Sequence, residues 1–188
     1  LIEGHRTRPR VIEKFLDAGD EAENLYATHN APEETLLRLA MAHISVQEWI
    51  DDLHQNGSLP DPSSVDFICA VHEKFYEKLS HVFLEIKCPS TGDIKRTMKP
   101  GIMRKDGEEV SVGHHNPPAG GEAVQSFMLA YHRHYQREKL YKIGRVQRLC
   151  AIAAAHHRFS YIHPFDDGNG RVARLLTHAM MLDAGFGA

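Results

Sequence analysis

Apolar residues recur at helical spacing along most of this chain. Over Arg10 to Ala18, Val11, Ile12, Phe15 and Leu16 fall on one face ahead of Gly19, which predicts a short helix. The polar stretch Asp20 to Ala31 reads as a connector. Pro32, followed by two acids, opens a longer helix to about Gln55. Leu36, Leu37, Ile44, Ile50 and Leu53 supply its apolar face, Trp49 is a packing anchor, and Gly57 ends it. After Pro62-Ser63-Ser64, the spacing of Phe67, Ile68, Val71, Phe75 and Leu79 predicts a helix from about Val65 to Leu79. Leu84 to Met98 is mixed and reads as irregular. Gly101 to Arg104 and Val110 to Val112 then flank a polar turn with Asp106-Gly107 at its centre, a hairpin signal. Pro117-Pro118 breaks the chain. Two more helices follow, over Glu122 to Glu138 and Tyr141 to Arg158. The second carries Ile143, Val146, Leu149, Cys150, Ala153 and Ala154 and is expected at the centre of the core. A last helix, Asn169 to Asp183, turns Leu175, Leu176, Ala179 and Met180 inward. Many helices and one small hairpin make an all-α, irregular helical bundle.

Composition narrows the function. The 188 residues are 42% apolar and 25% charged, as in a globular domain with a sizeable core. The net charge of −3 offers no basic field for nucleic acid. No apolar run approaches the roughly 20 residues that span a bilayer. Three widely spaced cysteines and no signal peptide suit a reducing, cytoplasmic setting. The chain opens on Leu1 rather than Met, and the expectation is a piece of a longer protein, with 1–31 as an N-terminal segment and 32–188 as the main domain.

The chemistry gathers in one stretch between the last two helices, His163-Pro164-Phe165-Asp166-Asp167-Gly168-Asn169-Gly170-Arg171-Val172-Ala173-Arg174. An imidazole such as His163 can take a proton from a hydroxyl near neutral pH. Pro164 stops the incoming helix at about His163. Asp167 is a hard oxygen ligand suited to Mg²⁺. Gly168, Asn169 and Gly170 make a turn whose N–H groups, with the start of the next helix, can hold an anion. Arg171 and Arg174 share one helix face and can grip phosphate oxygens together. Asp166 reads as solvated. A zinc site is disfavoured, because no third nitrogen ligand accompanies His157 and His163 at zinc spacing.

This stretch resembles the signature of the Fic (filamentation induced by cAMP) family, HPFx(D/E)GNGRxxR, and matches it at every specified position from His163 to Arg174. The resemblance covers roughly 33–188. It implies an adenylyltransferase that moves AMP from ATP to a Ser, Thr or Tyr hydroxyl of a target protein. His163 would be the general base and Asp167 would hold Mg²⁺. Gly168, Asn169 and Gly170 would cradle phosphates, with the Asn169 amide adding to the cradle, and Arg171 and Arg174 would bear on the β- and γ-phosphates. Glu3-Gly4 matches the end of the family's inhibitory motif, (S/T)xxxE(G/N), so Glu3 is expected to occupy Arg174 and hold nucleotide in a non-productive pose. The hairpin at Val110, Ser111 and Val112 resembles the family's flap, which docks a target segment as an added strand. The expected partners are ATP and a target protein, with no membrane and no nucleic acid; a homo-oligomer stays open. Relatives that move other phosphate-linked groups, or remove AMP, use the same residues. A nucleotide-binding module without catalysis, or a toxin silenced by an antitoxin helix, are the readings of another class.

Overall fold

A computed structural model describes residues 32–88, 91–110, 112 and 115–186. The expected helix over Arg10 to Ala18, Glu3 and Ser111 lie outside them. Helix α1 spans Pro32–Gln55. It ends as the glycine predicted: Gly57 sits at φ +66°. Gly57 N–H bonds His54 O (3.0 Å) and Ser58 N–H bonds Leu53 O (2.8 Å), the Schellman pair. Helix α2, Val65–Tyr76, is capped by Ser64 Oγ, which accepts from Phe67 N–H (3.3 Å). Trp49 stacks on Phe67 with ring centroids 5.9 Å apart, and so joins α1 to α2. A 3₁₀ turn at His81–Leu84 leads into β1, Glu85–Lys87, which pairs antiparallel with β2, Ile94–Thr97. Helices α3 (Glu122–Tyr135), α4 (Arg137–Tyr141), α5 (Arg145–Ile162) and α6 (Asn169–Asp183) complete the bundle.

Helix α6 is the hub, packed on α5, α1 and α2. It buries Val172, Ala173, Leu175, Leu176, Ala179 and Met180. Helix α2 meets it with Phe75, Val71 and Ile68, all fully buried. The expectation that α5 is the central helix does not hold. It buries only Ile152, Ala155, Phe159 and Ile162, one stripe at helical spacing. Val146 (72% exposed), Leu149 (45%), Cys150, Ala153 and Ala154 lie on its open side. Apolar residues encircle α5, and periodicity alone could not say which arc faces inward. Among the described residues, no helix is long and apolar enough to cross a membrane.

The two-stranded sheet also sits elsewhere than expected. The strands fall in 85–97, the stretch read as irregular, and among the described residues of 101–112 the two flanks do not pair. The Asp106-Gly107 turn does form: Glu108 N–H bonds Lys105 O (3.0 Å) and Gly107 sits at φ +81°. Its flanks are claimed by other partners. Arg104 N–H bonds Pro164 O (2.8 Å), and Gly121 N–H bonds Arg104 O (2.9 Å). On the far side Val112 makes a single antiparallel bridge to His115.

Candidate active site

Helix α5 delivers His163 to the site and stops there. His163 N–H still bonds Phe159 O (3.0 Å), but the residue sits at φ 50°, ψ 62°, among the described residues the only non-glycine at positive φ. A left-handed backbone costs an L-residue about 1–2 kcal/mol, so its surroundings must impose it. Arg104 Nε donates to His163 O (2.8 Å), and Arg104 Nη2 donates to Ile162 O (3.4 Å). Burial pulls the His163 imidazole below its ordinary range. The Arg104 and His115 charges add to that, against the Ser160 carbonyl and Asp167. The ring is therefore neutral at pH 7 and able to accept a proton.

The loop after His163 is closed by its own side chains. Asn169 Oδ1 accepts from Phe165 N–H (2.9 Å), and Asn169 Nδ2 donates to Phe165 O (2.7 Å). That two-bond ring is a correction. The Asn169 amide is engaged with the loop backbone at 2% exposure, so it shapes the turn instead of offering itself to phosphate. Asp166, expected in solvent, is instead gripped by Arg96 of β2 through Nε (3.2 Å) and Nη2. Phe165 is fully buried and stacks on His72 with centroids 3.9 Å apart.

His72, on α2, supports the loop from beneath. Its Nδ1 accepts from Gly101 N–H (2.9 Å), and its Nε2 lies 3.2 Å from Asp167 O. These partners dictate the Nε2–H tautomer, since Nδ1 must accept and Nε2 must donate. Burial, only partly opposed by the Asp167 carbonyl and carboxylate, lowers the His72 pKa to about 4. Protonation would break the Gly101 bond. A lowered folded-state value means that this contribution to stability is complete above about pH 6.5. It is lost as pH falls towards 4, by up to about 3 kcal/mol at roughly 1.4 kcal/mol per unit. Denaturant unfolding at pH 7.0 and 4.5 should record that fall, and His72→Gln should make it shallower.

Asp167 anchors the polar side. Its Oδ2 accepts from Tyr76 Oη (2.8 Å) and Arg171 Nη1 (3.2 Å). Burial pushes its carboxyl up, but Arg171, the Gly168 N–H and Tyr76 outweigh that and hold it below the usual range. It is therefore ionised, with half its side chain in solvent. Arg171 also lies over the Phe75 ring at 5.6 Å. The backbone turns at Gly168, φ +79°, where a Cβ would meet Tyr76 Oη at 2.8 Å. Helix α6 follows. Its first ladder bond is Val172 N–H to Gly168 O (2.9 Å), so the N–H groups of Asn169, Gly170 and Arg171 precede the ladder at the positive end of the dipole. Arg174 follows one turn on. Burial first, then the Arg174 and Arg171 charges, lower the pKa of His43 on α1 to about 4.

The N–H groups at the positive end of the α6 dipole, the Arg171 guanidinium, the ionised Asp167 and the His163 base fall within one loop and the helix start that follows it, a set whose chemistry suits an anion and its cation. One carboxylate suffices for Mg²⁺ that arrives with phosphates, because the ion takes its other ligands from phosphate and water. Among the described residues, no three His, Cys, Asp or Glu gather to hold an ion without them. Sequence reasoning missed His72, Tyr76, Arg96 and Arg104, all distant in the chain from the loop they hold.

The loop between α5 and α6 lies within the stretch that a family comparison matches. The model of the Fic/DOC family matches residues 62–181, and the chain belongs to that family. It is 36% identical over 78 residues to a protein adenylyltransferase Fic of Drosophila erecta, covering 42% of this chain and 15% of that protein. It is 59% identical over 34 residues to one of Nematostella vectensis, covering 18% and 8%. The chain thus spans under a sixth of these relatives. A Fic domain containing signaling protein from Bacteroides thetaiotaomicron shares the fold, with a TM-score of 0.58 at 20% identity, over 94% of this chain and 60% of that one.

Proposed function

We propose that this chain transfers AMP from ATP to a hydroxyl side chain of a target protein. The observation that carries the reading is His163, held in left-handed backbone at the end of α5 and followed directly by a loop that brings in Asp167 and the N–H groups at the start of α6. The relatives from Drosophila erecta and Nematostella vectensis, protein adenylyltransferases, suggest the group transferred. In this reading His163 takes the hydroxyl proton as the oxygen bonds the α-phosphorus. The bond from that phosphorus to the bridging oxygen breaks, and pyrophosphate leaves. The amides of the Gly168-Asn169-Gly170 turn hold phosphate oxygens, and Arg171 and Arg174 orient the β- and γ-phosphates. Mg²⁺ held by Asp167 would neutralise phosphate charge. Catalysis is then mostly positioning and charge complementarity.

The target segment lies along Val110, Ser111 and Val112 as an added strand. Val112 is 42% exposed, and since its N–H and C=O both bond His115, it would meet the target through its side chain. Glu3 serves as the inhibitory carboxylate opposite Arg174. The setting is cytoplasmic, where ATP is at hand. Glu3→Gly should raise self-labelling or target labelling by about tenfold or more, since a charge-assisted pair of roughly 1.5–3 kcal/mol no longer competes for Arg174. Mass spectrometry checks this by counting AMP adducts on Ser, Thr or Tyr. Equal counts with and without Glu3 would remove the inhibitory role, and adducts of another mass would name another donor.

A further inference from the structure

Arg104 is 2% exposed, and every side-chain hydrogen bond it makes to a described residue ends on a main-chain carbonyl. The carbonyls form two groups. Ile162 and His163 belong to the end of α5, and the Arg104 N–H adds Pro164 of the same loop (2.8 Å). Glu108 and Pro118 belong to the segment that carries Val110 to Val112, bonded at 3.0 and 2.9 Å through Nη1 and Nη2. One planar fork, with donors in fixed directions, therefore clamps two stretches of chain 44 or more residues apart, counting from Pro118 to Ile162. A lysine, with one nitrogen, cannot span both groups.

We propose that Arg104 is a positioning residue that locks the target-docking segment to the loop bearing His163. It sets the distance between a docked hydroxyl and the imidazole without touching either. The inference rests on the AMP-transfer reading. It accounts for two features together: a buried guanidinium whose described bonds all go to carbonyls, and a histidine kept in left-handed backbone. Both follow if the fork saturates the carbonyls that α5 leaves open at its end. The groups facing the His163 ring are Arg104, Asp167, His115 and the Ser160 carbonyl, so loss of the guanidinium also removes a cation from beside the base.

The test compares wild type, Arg104→Lys and Arg104→Met. Thermal unfolding establishes that each folds, and calorimetric titration gives ATP affinity. Steady-state transfer separates kcat from KM, and NMR follows the His163 imidazole against pH. The expected result is ATP affinity within about threefold of wild type in both variants, with kcat down about 100-fold, the scale of a misplacement near 1 Å. The imidazole should titrate at higher pH in Arg104→Met and stay near wild type in Arg104→Lys, which keeps the charge but loses the fork. A folded Arg104→Met with unchanged kcat and imidazole titration overturns the proposal. So does ATP affinity falling in step with kcat, which marks a general structural loss. If Arg104→Met does not fold, Arg104→Lys carries the comparison: low kcat with normal ATP affinity supports the clamp, and normal kcat refutes it. If wild type transfers nothing, the AMP-transfer reading fails, while the imidazole titration still decides the hold of Arg104 on His163.

Discussion

His163→Ala should lower AMP transfer by about 10² to 10⁴-fold, the usual contribution of a positioned base, and leave ATP affinity within a few-fold of wild type. The separation follows from where the side chain stands. His163 is at the C-terminal end of α5, whereas Arg171, Arg174 and the N–H groups proposed to hold phosphate are on α6. Truncation of the imidazole leaves the Arg104 bond to His163 O and the Asn169 ring with Phe165 in place, because both use main chain on the loop side. Alanine bears the left-handed backbone somewhat less well than histidine, so a small loss of stability accompanies the change. The check is single-turnover transfer beside an ATP titration. Transfer at wild-type rates would remove the base role, and lost ATP binding would move His163 into the nucleotide site.

Gly168→Ala should be the most damaging single change at the site for its size. At φ +79° a side chain costs about 1–2 kcal/mol, and the new Cβ would lie 2.8 Å from Tyr76 Oη and 3.0 Å from its ring. Overpacking adds roughly 1–3 kcal/mol. Relief requires Tyr76 to move, which breaks its 2.8 Å bond to Asp167. Gly57→Ala is the internal control. Its φ is +66°, but nothing lies within 4 Å of the added Cβ, so only the backbone cost applies. Chemical denaturation should rank Gly168→Ala well below Gly57→Ala, and ATP affinity should fall in the former alone. Equal losses would show that Tyr76 yields without consequence for Asp167.

Much of this site was legible because it is contiguous. A proline, two glycines, a base, an acid and two arginines fall within twelve residues, and each type has a local reason to be there. The supports were not legible, because each looks ordinary in its own setting. His72 and Tyr76 sit on the core face of α2 among Ile68, Val71 and Phe75, where the apolar pattern hides their polar tips. Two polar-tipped rings four apart on a buried face were the available signal. Arg104 sits beside a polar turn, at the end of one flank of the expected hairpin. Its partners are carbonyls, which a sequence does not advertise.

The hairpin shows a related limit. Asp106-Gly107 is a true turn, yet a turn makes a hairpin only when its flanks are free to pair, and here Pro164 and Gly121 claim Arg104 on one of them. The strands formed instead around Gly92, φ +75°, where Cys88 and Asp93 close the loop through a 2.8 Å bond. Glu85-Ile86-Lys87 and Ile94-Lys95-Arg96-Thr97 are short and charged, and a register shift at Ile86/Lys87 interrupts their alternation. The outcome matters for the site, because β2 supplies the Arg96 that fixes Asp166. Helix α5 has the opposite fault: too many apolar positions to choose between, of which the bundle uses one stripe.

The central claim is that a hydroxyl attacks the α-phosphate with His163 as base. The direct measurement incubates Glu3→Gly, and the same protein with His163→Ala added, with Mg²⁺ and ATP labelled at the α- or the γ-phosphate in separate reactions. Protein-bound label from the α-position alone, lost with His163, is the expected result. Label from the γ-position alone would contradict it, because the chain would then transfer phosphate from a nucleotide bound in the reverse direction.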